Sequence, residues 1–506
     1  MQASIEKTPF PLRILILSSE VAPYAKAGGL ADVTAALAAH LHQRGHDVRV
    51  VMPYYRQVHE GRTGFDMEMA SLCVQMGIGE EWCAVRGLTT ENGVRMCFIE
   101  HDGYFNRDGL YHDSLMNDYD DNPRRFGFLC RAALQYCMDS GFSPDIVHAN
   151  DWQTALAPAY LKCWFWDHGC LGKAASVLTI HNVAYQGVYP GAHYDYLGLG
   201  AQNFNERLFE SFGRMHFLKG GVHFADAVNT VSPGHAREIT VPYGGFGMAP
   251  YLAQKGDAFR GILNGVDYSL WNPETDVKIP ERYSAQDLKG KAICKRELQR
   301  AMNLEIRDDL PLVAAIGRFV DQKGFHVMAG AIEKMLHQMH MQFAILGSGD
   351  WDLSAYYGSL PGRFPGRAGS YIGYNEQLAH LIEAGADFFV MPSFFEPCGL
   401  NQLYSLKYGT LPVVRATGGL DDTVEQYDEK TGEGTGFKYL AHTPQAIFDT
   451  VGWAISTWYD RPGHIRTMIR RAMEKDFSWE KVVLEYEDFY GLAMQKKDEY
   501  DMACRA

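Results

Sequence analysis

The chain has 506 residues, more than one hydrophobic core serves, so two large α/β domains are expected. Apolar residues make up 46% and charged residues 21%, which excludes a disordered chain, and a formal net charge of -14 argues against broad binding to nucleic acid or an anionic membrane. Ten cysteines without a CxxC pair argue against a disulfide scaffold and for a reducing cytoplasm. Residues 1–11 show no apolar signal core behind a basic start, and the apolar run 12–17 is too short to cross a bilayer. The expected location is cytoplasmic.

The first unit reads as βαβ. Residues 12–17 form a strand of the kind buried on both faces of a parallel sheet. A loop with Ser18, Ser19, Glu20, Lys26, Gly28 and Gly29 follows, then a helix over about 30–44 stopped by Gly45, then a strand over 48–52. Further strands are predicted at 145–149, leading to Asp151-Trp152, at 176–180, leading to His181-Asn182, and at 225–231. The rhythm pauses at Asn264-Gly265-Val266-Asp267 and restarts with strands at 312–316, 342–346, 388–391 and 411–415. Tyr371-Ile372 precede Gly373-Tyr374, and the tail 479–495 has helical spacing at Val482, Tyr486, Phe489 and Tyr490. Gly28-Gly29-Leu30-Ala31-Asp32 is echoed by Gly418-Gly419-Leu420-Asp421-Asp422, one in each half. The pattern predicts two doubly wound, Rossmann-like parallel-sheet domains facing across a cleft, with ligands at the carboxyl ends of the strands.

Several loops carry candidate chemistry. Arg318 and Lys323 share one loop after a buried strand; together they suit a diphosphate leaving group, or they are two solvated cations. Each Gly-Gly loop, Gly28-Gly29 with Lys26 before it and Gly418-Gly419, is either a phosphate cradle or a plain strand-to-helix turn. Glu396 follows a strand, where it can accept hydrogen bonds from sugar hydroxyls or oppose charge at an anomeric carbon; otherwise it is a loop acid. Cys398 has no neighbouring His and reads as packing rather than nucleophile. His181 and Asp151 can touch sugar hydroxyls, or serve as a structural His and a helix cap. No third ligand accompanies His337 and His340, and Asp120-Asp121-Asn122 reads as a loop and cap, so no metal is assigned.

In order along nearly the whole chain, these motifs resemble glycosyltransferase family 5, the glycogen and starch synthases. The resemblance rests on Ser18-Ser19-Glu20-Val21-Ala22-Pro23, Lys26-Ala27-Gly28-Gly29-Leu30, His181-Asn182-Val183-Ala184-Tyr185-Gln186-Gly187, Ile262-Leu263-Asn264-Gly265-Val266-Asp267, Gly317-Arg318 with Gln322-Lys323-Gly324, Phe395-Glu396-Pro397-Cys398-Gly399-Leu400 and Gly418-Gly419-Leu420. It implies the GT-B architecture: an acceptor-side domain over 1–265, a connector over 266–283, a nucleotide-sugar domain over 284–478, and a helix over 479–506 returning to the first domain. It implies glucose transfer with retention, without a cofactor, from ADP-glucose or UDP-glucose to glycogen or another α-1,4-glucan. By position, Arg318 and Lys323 resemble the family's diphosphate-binding pair, and Glu396, His181 and Asp151 the residues around the transferred glucose. Lys26, Gly28, Gly29, Asn264, Tyr374, Cys398, Gly399, Gly418 and Gly419 fall at donor-contacting positions. Two positions depart from the family pattern, Ala27 and Asn401, where Thr is common. A glucan phosphorylase, which needs a pyridoxal Schiff-base Lys, a nucleotide-sugar epimerase and a non-catalytic glucan-binding protein are the alternatives. The set Arg318, Lys323 and Glu396 favours an enzyme over the last.

Overall fold

Ile14, Leu15, Ile16 and Leu17 are all fully buried. A strand hidden on both faces requires helices above and below its sheet, and the fold follows from that demand. The computed structural model describes residues 11–61 and 64–505, so the reading of residues 1–10 lies outside the described residues. The chain divides into two units, Met1–Val231 with Ala236–Ile262 and Trp479–Ala506, and Ser232–His235 with Leu263–Ser478.

In the first unit, β1 (Arg13–Leu17), β2 (Asp47–Pro53), β3 (Asp66–Met76), β4 (Gly79–Thr89), β5 (Arg95–Glu100), β6 (Ile146–Asn150) and β7 (Ala175–Ile180) enter one sheet. Three short strands, β8 (Val188–Pro190), β9 (Glu210–Ser211) and β10 (Arg214–His216), pair antiparallel in a sheet of their own. β11 (Ala227–Thr230) and β12 (Phe259–Gly261) complete the large sheet, whose order is β12-β11-β7-β6-β1-β2-β5-β4-β3. It is parallel from β12 to β5. β4 and β3 add an antiparallel edge outside the predicted parallel pattern.

One face of this sheet is covered by the helix Trp479–Arg505. Its Trp479, Val482, Tyr486, Phe489, Tyr490 and Ala493 are buried in the same core cluster as β1, β6 and β7. Glu487 adds a polar anchor. Its carboxylate takes Arg44 Nε and Nη2 at 2.5 and 2.8 Å and His46 Nε2 at 3.0 Å. The Leu12 N–H donates to His46 Nδ1 at 3.0 Å, so Nε2 carries the hydrogen and a neutral His46 suffices.

In the second unit, β13 (Leu312–Phe319), β14 (Gln342–Gly349), β15 (Ala368–Ile372), β16 (Phe388–Met391), β17 (Leu411–Arg415) and β18 (Phe437–Tyr439) form an all-parallel sheet in the order β15-β14-β13-β16-β17-β18. Strand order reverses between β13 and β16 here, and between β1 and β6 in the first unit. Loops leaving adjacent strands at such a reversal diverge and open a crevice. The expected connector over 266–283 is no loose linker, because it is packed into this unit. Trp271 stacks on His380 and Tyr404 with ring centroids 3.8 and 4.0 Å away. Asp276 accepts from Tyr408 Oη at 2.5 Å and pairs with His380 Nδ1 at 2.7 Å.

Candidate active site

Each reversal point carries its own cluster. In the second unit, β13 ends at Phe319, a 3-10 turn covers Asp321–Lys323, and Gly324 closes it at φ 68°. That left-handed angle suits glycine, and a Cβ there would come within 1.9 Å of the Pro392 carbonyl. The close approach brings the loop after β13 against the loop after β16. Phe394 N–H donates to the Gln322 carbonyl at 2.8 Å. Lys323 Nζ donates to Glu396 Oε2 at 2.6 Å, and Ser393 Oγ donates to the same oxygen at 3.0 Å. The Glu396 side chain is 6% exposed and that of Lys323 24%. Glu396 Oε1 has no hydrogen bond among the described residues. Arg318 is exposed, and its guanidinium has no internal partner among the described residues. One cation is therefore held by the acid, and a second is free to meet an anion.

The Gly418-Gly419 turn packs on the Glu396 loop. Gly418 sits at φ 45°, and Cβ atoms on Gly418 and Gly419 would lie 2.1 Å from the Glu396 carbonyl and 2.2 Å from the Cys398 carbonyl. Gly419 N–H donates to the Glu396 carbonyl at 3.1 Å. In this structure the Gly419 N–H is engaged in loop packing. Gly399, at φ 74°, leaves room for Gln402, whose amide donates to the Cys398 and Gly399 carbonyls at 2.9 and 3.0 Å. Cys398 is buried and burial pushes its thiol up to about 12, so it is packing and no nucleophile. The backbone N–H of Asn264 lies against that thiol, while Asn264 Oδ1 is buried without a hydrogen-bond partner among the described residues. Asn401 Nδ2 donates to the Ile316 carbonyl at 3.2 Å, which gives this departure from the family pattern a local use. Tyr374 stands apart from these contacts, 82% exposed after Gly373.

In the first unit, the loop after β1 is organised by Glu20. Its Oε2 accepts from Ala27 N–H at 2.5 Å and Gly28 N–H at 2.9 Å; its Oε1 accepts from Tyr111 Oη at 2.5 Å. The buried carboxylate thus takes the Gly28 N–H, one of the backbone donors expected to face a phosphate. Gly28 caps the helix Gly29–Gln43 with extended backbone. Lys26 Nζ is exposed and paired with Asp32 at 2.8 Å. Because Ala27 contributes through its N–H, the missing Thr side chain costs this contact nothing. Glu20 was legible only as a motif letter; its burial needed the fold.

After β6, Asp151 adopts φ 56°, a left-handed angle that Asp tolerates better than most residues, and is no helix cap. The turn points its Oδ1 at the end of β7, where it accepts from His181 N–H at 2.7 Å and Asn182 N–H at 3.4 Å. Burial pushes its pKa up to about 7, against the lowering effect of those two N–H groups. His181 Nε2 meets Asn150 Oδ1 at 2.9 Å, and Asn150 Nδ2 donates to the Leu17 carbonyl at 3.1 Å. The amide orientation puts the hydrogen on His181 Nε2 and leaves Nδ1 as an acceptor. Burial lowers the pKa of His181 to about 3 and keeps it neutral. The structure thus joins Arg318, Lys323, Glu396, Cys398, Gly399, Gly418, Gly419 and Asn264 through one set of loops in the second unit, and Asp151 with His181 in the first. Ser232, whose Oγ donates to the Pro397 carbonyl at 2.6 Å, was missed; a Ser-Pro after a strand signals only a turn.

Among the described residues no cluster of three His, Cys, Asp or Glu side chains can hold a metal ion, and no helix is long and apolar enough to cross a membrane.

Comparison with known proteins adds a second line. Residues 13–254 match the starch synthase catalytic domain family, and residues 299–462 match the glycosyl transferases group 1 family. Glycogen synthase 1 of Geobacter metallireducens is 47% identical over 489 residues, 96% of this chain and 97% of that protein. Glycogen synthase of Treponema denticola is 44% identical over 492 residues, 96% of this chain and 99% of that protein. The solved catalytic domain of starch synthase IV from Arabidopsis thaliana, bound to ADP and acarbose, superposes with a TM-score of 0.86 at 31% identity, covering 96% of this chain and 99% of that one.

Proposed function

Because the chain belongs to the glycogen and starch synthase family of hexosyltransferases, we propose that it transfers glucose from ADP-glucose to the non-reducing 4-hydroxyl of an α-1,4-glucan, with retention of configuration. The observation that carries this reading is the 2.6 Å Lys323–Glu396 pair at the strand reversal of the second unit, with the exposed Arg318 in the same loop. We read that cluster as the donor side. The acceptor oxygen bonds to the anomeric carbon, and the bond from that carbon to the phosphate oxygen breaks. The electron pair leaves with the nucleoside diphosphate, which also takes the acceptor's proton. Arg318 and Lys323 stabilise the charge that grows on the departing group, and Glu396 Oε1 accepts from a sugar hydroxyl.

Asp151 and His181 serve the transferred glucose and the acceptor. The neutral His181 offers Nδ1 to a sugar hydroxyl, and Asp151 offers the oxygen its backbone donors leave open. The ADP held by the Arabidopsis relative favours ADP-glucose over UDP-glucose. Ten cysteines, all free, fit work in the cytoplasm. The test is incorporation of labelled glucose into glycogen with each donor supplied separately, followed by anomeric analysis of the new linkage. The α-1,4 product from ADP-glucose is expected. No incorporation from either nucleotide sugar, or a β linkage, overturns the reading.

A further inference from the structure

Beneath His181 lies a buried polar chain that the transfer chemistry leaves unused. His148 stands two residues before Asn150 on β6, and Thr179 on β7 stands two residues before His181, which directly follows that strand; the contacts His148–Thr179 and Asn150–His181 put both pairs on one side of the sheet. Asn229 on β11 is in register with Thr179. The helix Trp479–Arg505 lays Tyr486 and Tyr490 on that face, and all five members of the chain are buried at 0% exposure.

The hydrogens can be assigned link by link. Asn229 Nδ2 donates to Tyr486 Oη at 3.4 Å, which turns its carbonyl oxygen toward Thr179. Thr179 spends its only hydrogen on that oxygen at 2.7 Å. The contact of 2.6 Å between Thr179 Oγ1 and His148 Nε2 is then donated by the histidine. His148 Nδ1 is left as an acceptor, and the hydroxyl of Tyr490 fills it at 2.9 Å. One layer above, the His181–Asn150 pair sits at the carboxyl ends of the same two strands. Burial and the neighbouring His181 both hold the pKa of His148 down, to about 3.

We propose that Tyr490 is a positioning residue for His181, acting through His148 and Thr179 to seat the side-chain layer on which the His181–Asn150 pair rests. The inference depends on the reading of His181 as a contact to the transferred glucose. Without the Tyr490 hydroxyl, His148 keeps a bare Nδ1 in a dry interior and its ring loses the contact that fixes its tilt. Small displacements of a positioning layer act on turnover more than on binding.

The test uses the full chain with Y490F, T179V and the double variant, read by glucose-transfer kinetics and by 15N resonances of the histidine rings. In the wild type His148 is expected as the Nε2–H tautomer with a hydrogen-bonded Nδ1. Y490F is expected to lower kcat about tenfold with KM for the donor unchanged, and to move the Nδ1 resonance to that of a free lone pair. T179V is expected to invert the His148 tautomer and lower kcat similarly, with the double variant no worse than the more impaired single. Should Y490F not fold, T179V reads the same chain from its other side. A wild-type His148 in the Nδ1–H form, or a Y490F enzyme with wild-type kcat, overturns the proposal while leaving the transferase reading standing. A wild type that transfers no glucose overturns the transferase reading and, with it, this one.

Discussion

Arg318 and Lys323 lie five residues apart, yet their surroundings predict different failures when each is removed. Arg318 is exposed without an internal partner among the described residues, so Arg318→Ala should leave thermal unfolding within about 0.5 kcal/mol of wild type. Its kcat should fall by roughly a hundredfold or more, because the departing charge loses a donor. Lys323→Ala should lose comparable turnover and also about 1–3 kcal/mol of stability, since the buried Glu396 is left without its counter-charge. Equal melting of the two variants would contradict this division. Asp151 makes a third case. Its raised pKa means that the folded state holds a proton the unfolded state has released, so stability at this site is full below the ordinary 3.8 and is lost as pH rises through about 7. If the ionised form holds a sugar hydroxyl, kcat/KM should rise with pH through about 7. Asp151→Asn, which keeps an oxygen for His181 N–H, should flatten both profiles and lower activity roughly a hundredfold. The residue types were legible as cations and acids at strand ends. What was not legible is who is already engaged: Gly28 N–H belongs to Glu20, Gly419 N–H to a carbonyl, and Lys323 to an acid 73 positions away. Such pairings depend on which loops the strand order makes neighbours.

At the scale of elements, most buried strands announce themselves and half-buried ones do not, although β5, buried over residues 96–99, was not predicted. The predicted strands at 12–17, 145–149, 176–180 and 312–316 correspond to β1, β6, β7 and β13, whose residues in those runs are mostly buried. β3 and β4 escaped notice because Asp66–Met76 and Gly79–Thr89 interleave charges with apolar residues along an edge hairpin. The tail helix was visible from its spacing, but spacing names no partner, and only the family resemblance directed it to the first half. Its polar anchor is equally silent in sequence, because Arg44, His46 and Glu487 are separated by most of the chain. Removing that anchor by Glu487→Ala should destabilise the first unit by about 2 kcal/mol, seen as a lower unfolding midpoint in urea, while the transition of the second unit stays in place.

At the scale of the whole molecule, the first unit is discontinuous in sequence: its first segments end at Ile262 and it resumes at Trp479. The apolar side chains that Trp479, Val482, Tyr486, Phe489 and Tyr490 bury contribute on the order of 10 kcal/mol, the size of a domain's entire net stability of about 5–15 kcal/mol. A chain stopped after Ser478 should therefore give an insoluble or protease-sensitive first unit beside a folded second one. Limited proteolysis that spares 1–262 in such a chain would refute this. The same discontinuity has a temporal meaning during synthesis. A chain emerging from the ribosome exposes the β6–β7 face, His148 included, for as long as it takes to make the whole intervening unit, which at about 5–20 residues per second is some tens of seconds of chaperone dependence. Translation that aborts within those residues yields a first half that lacks the helix closing its core and leaves its apolar face open to solvent.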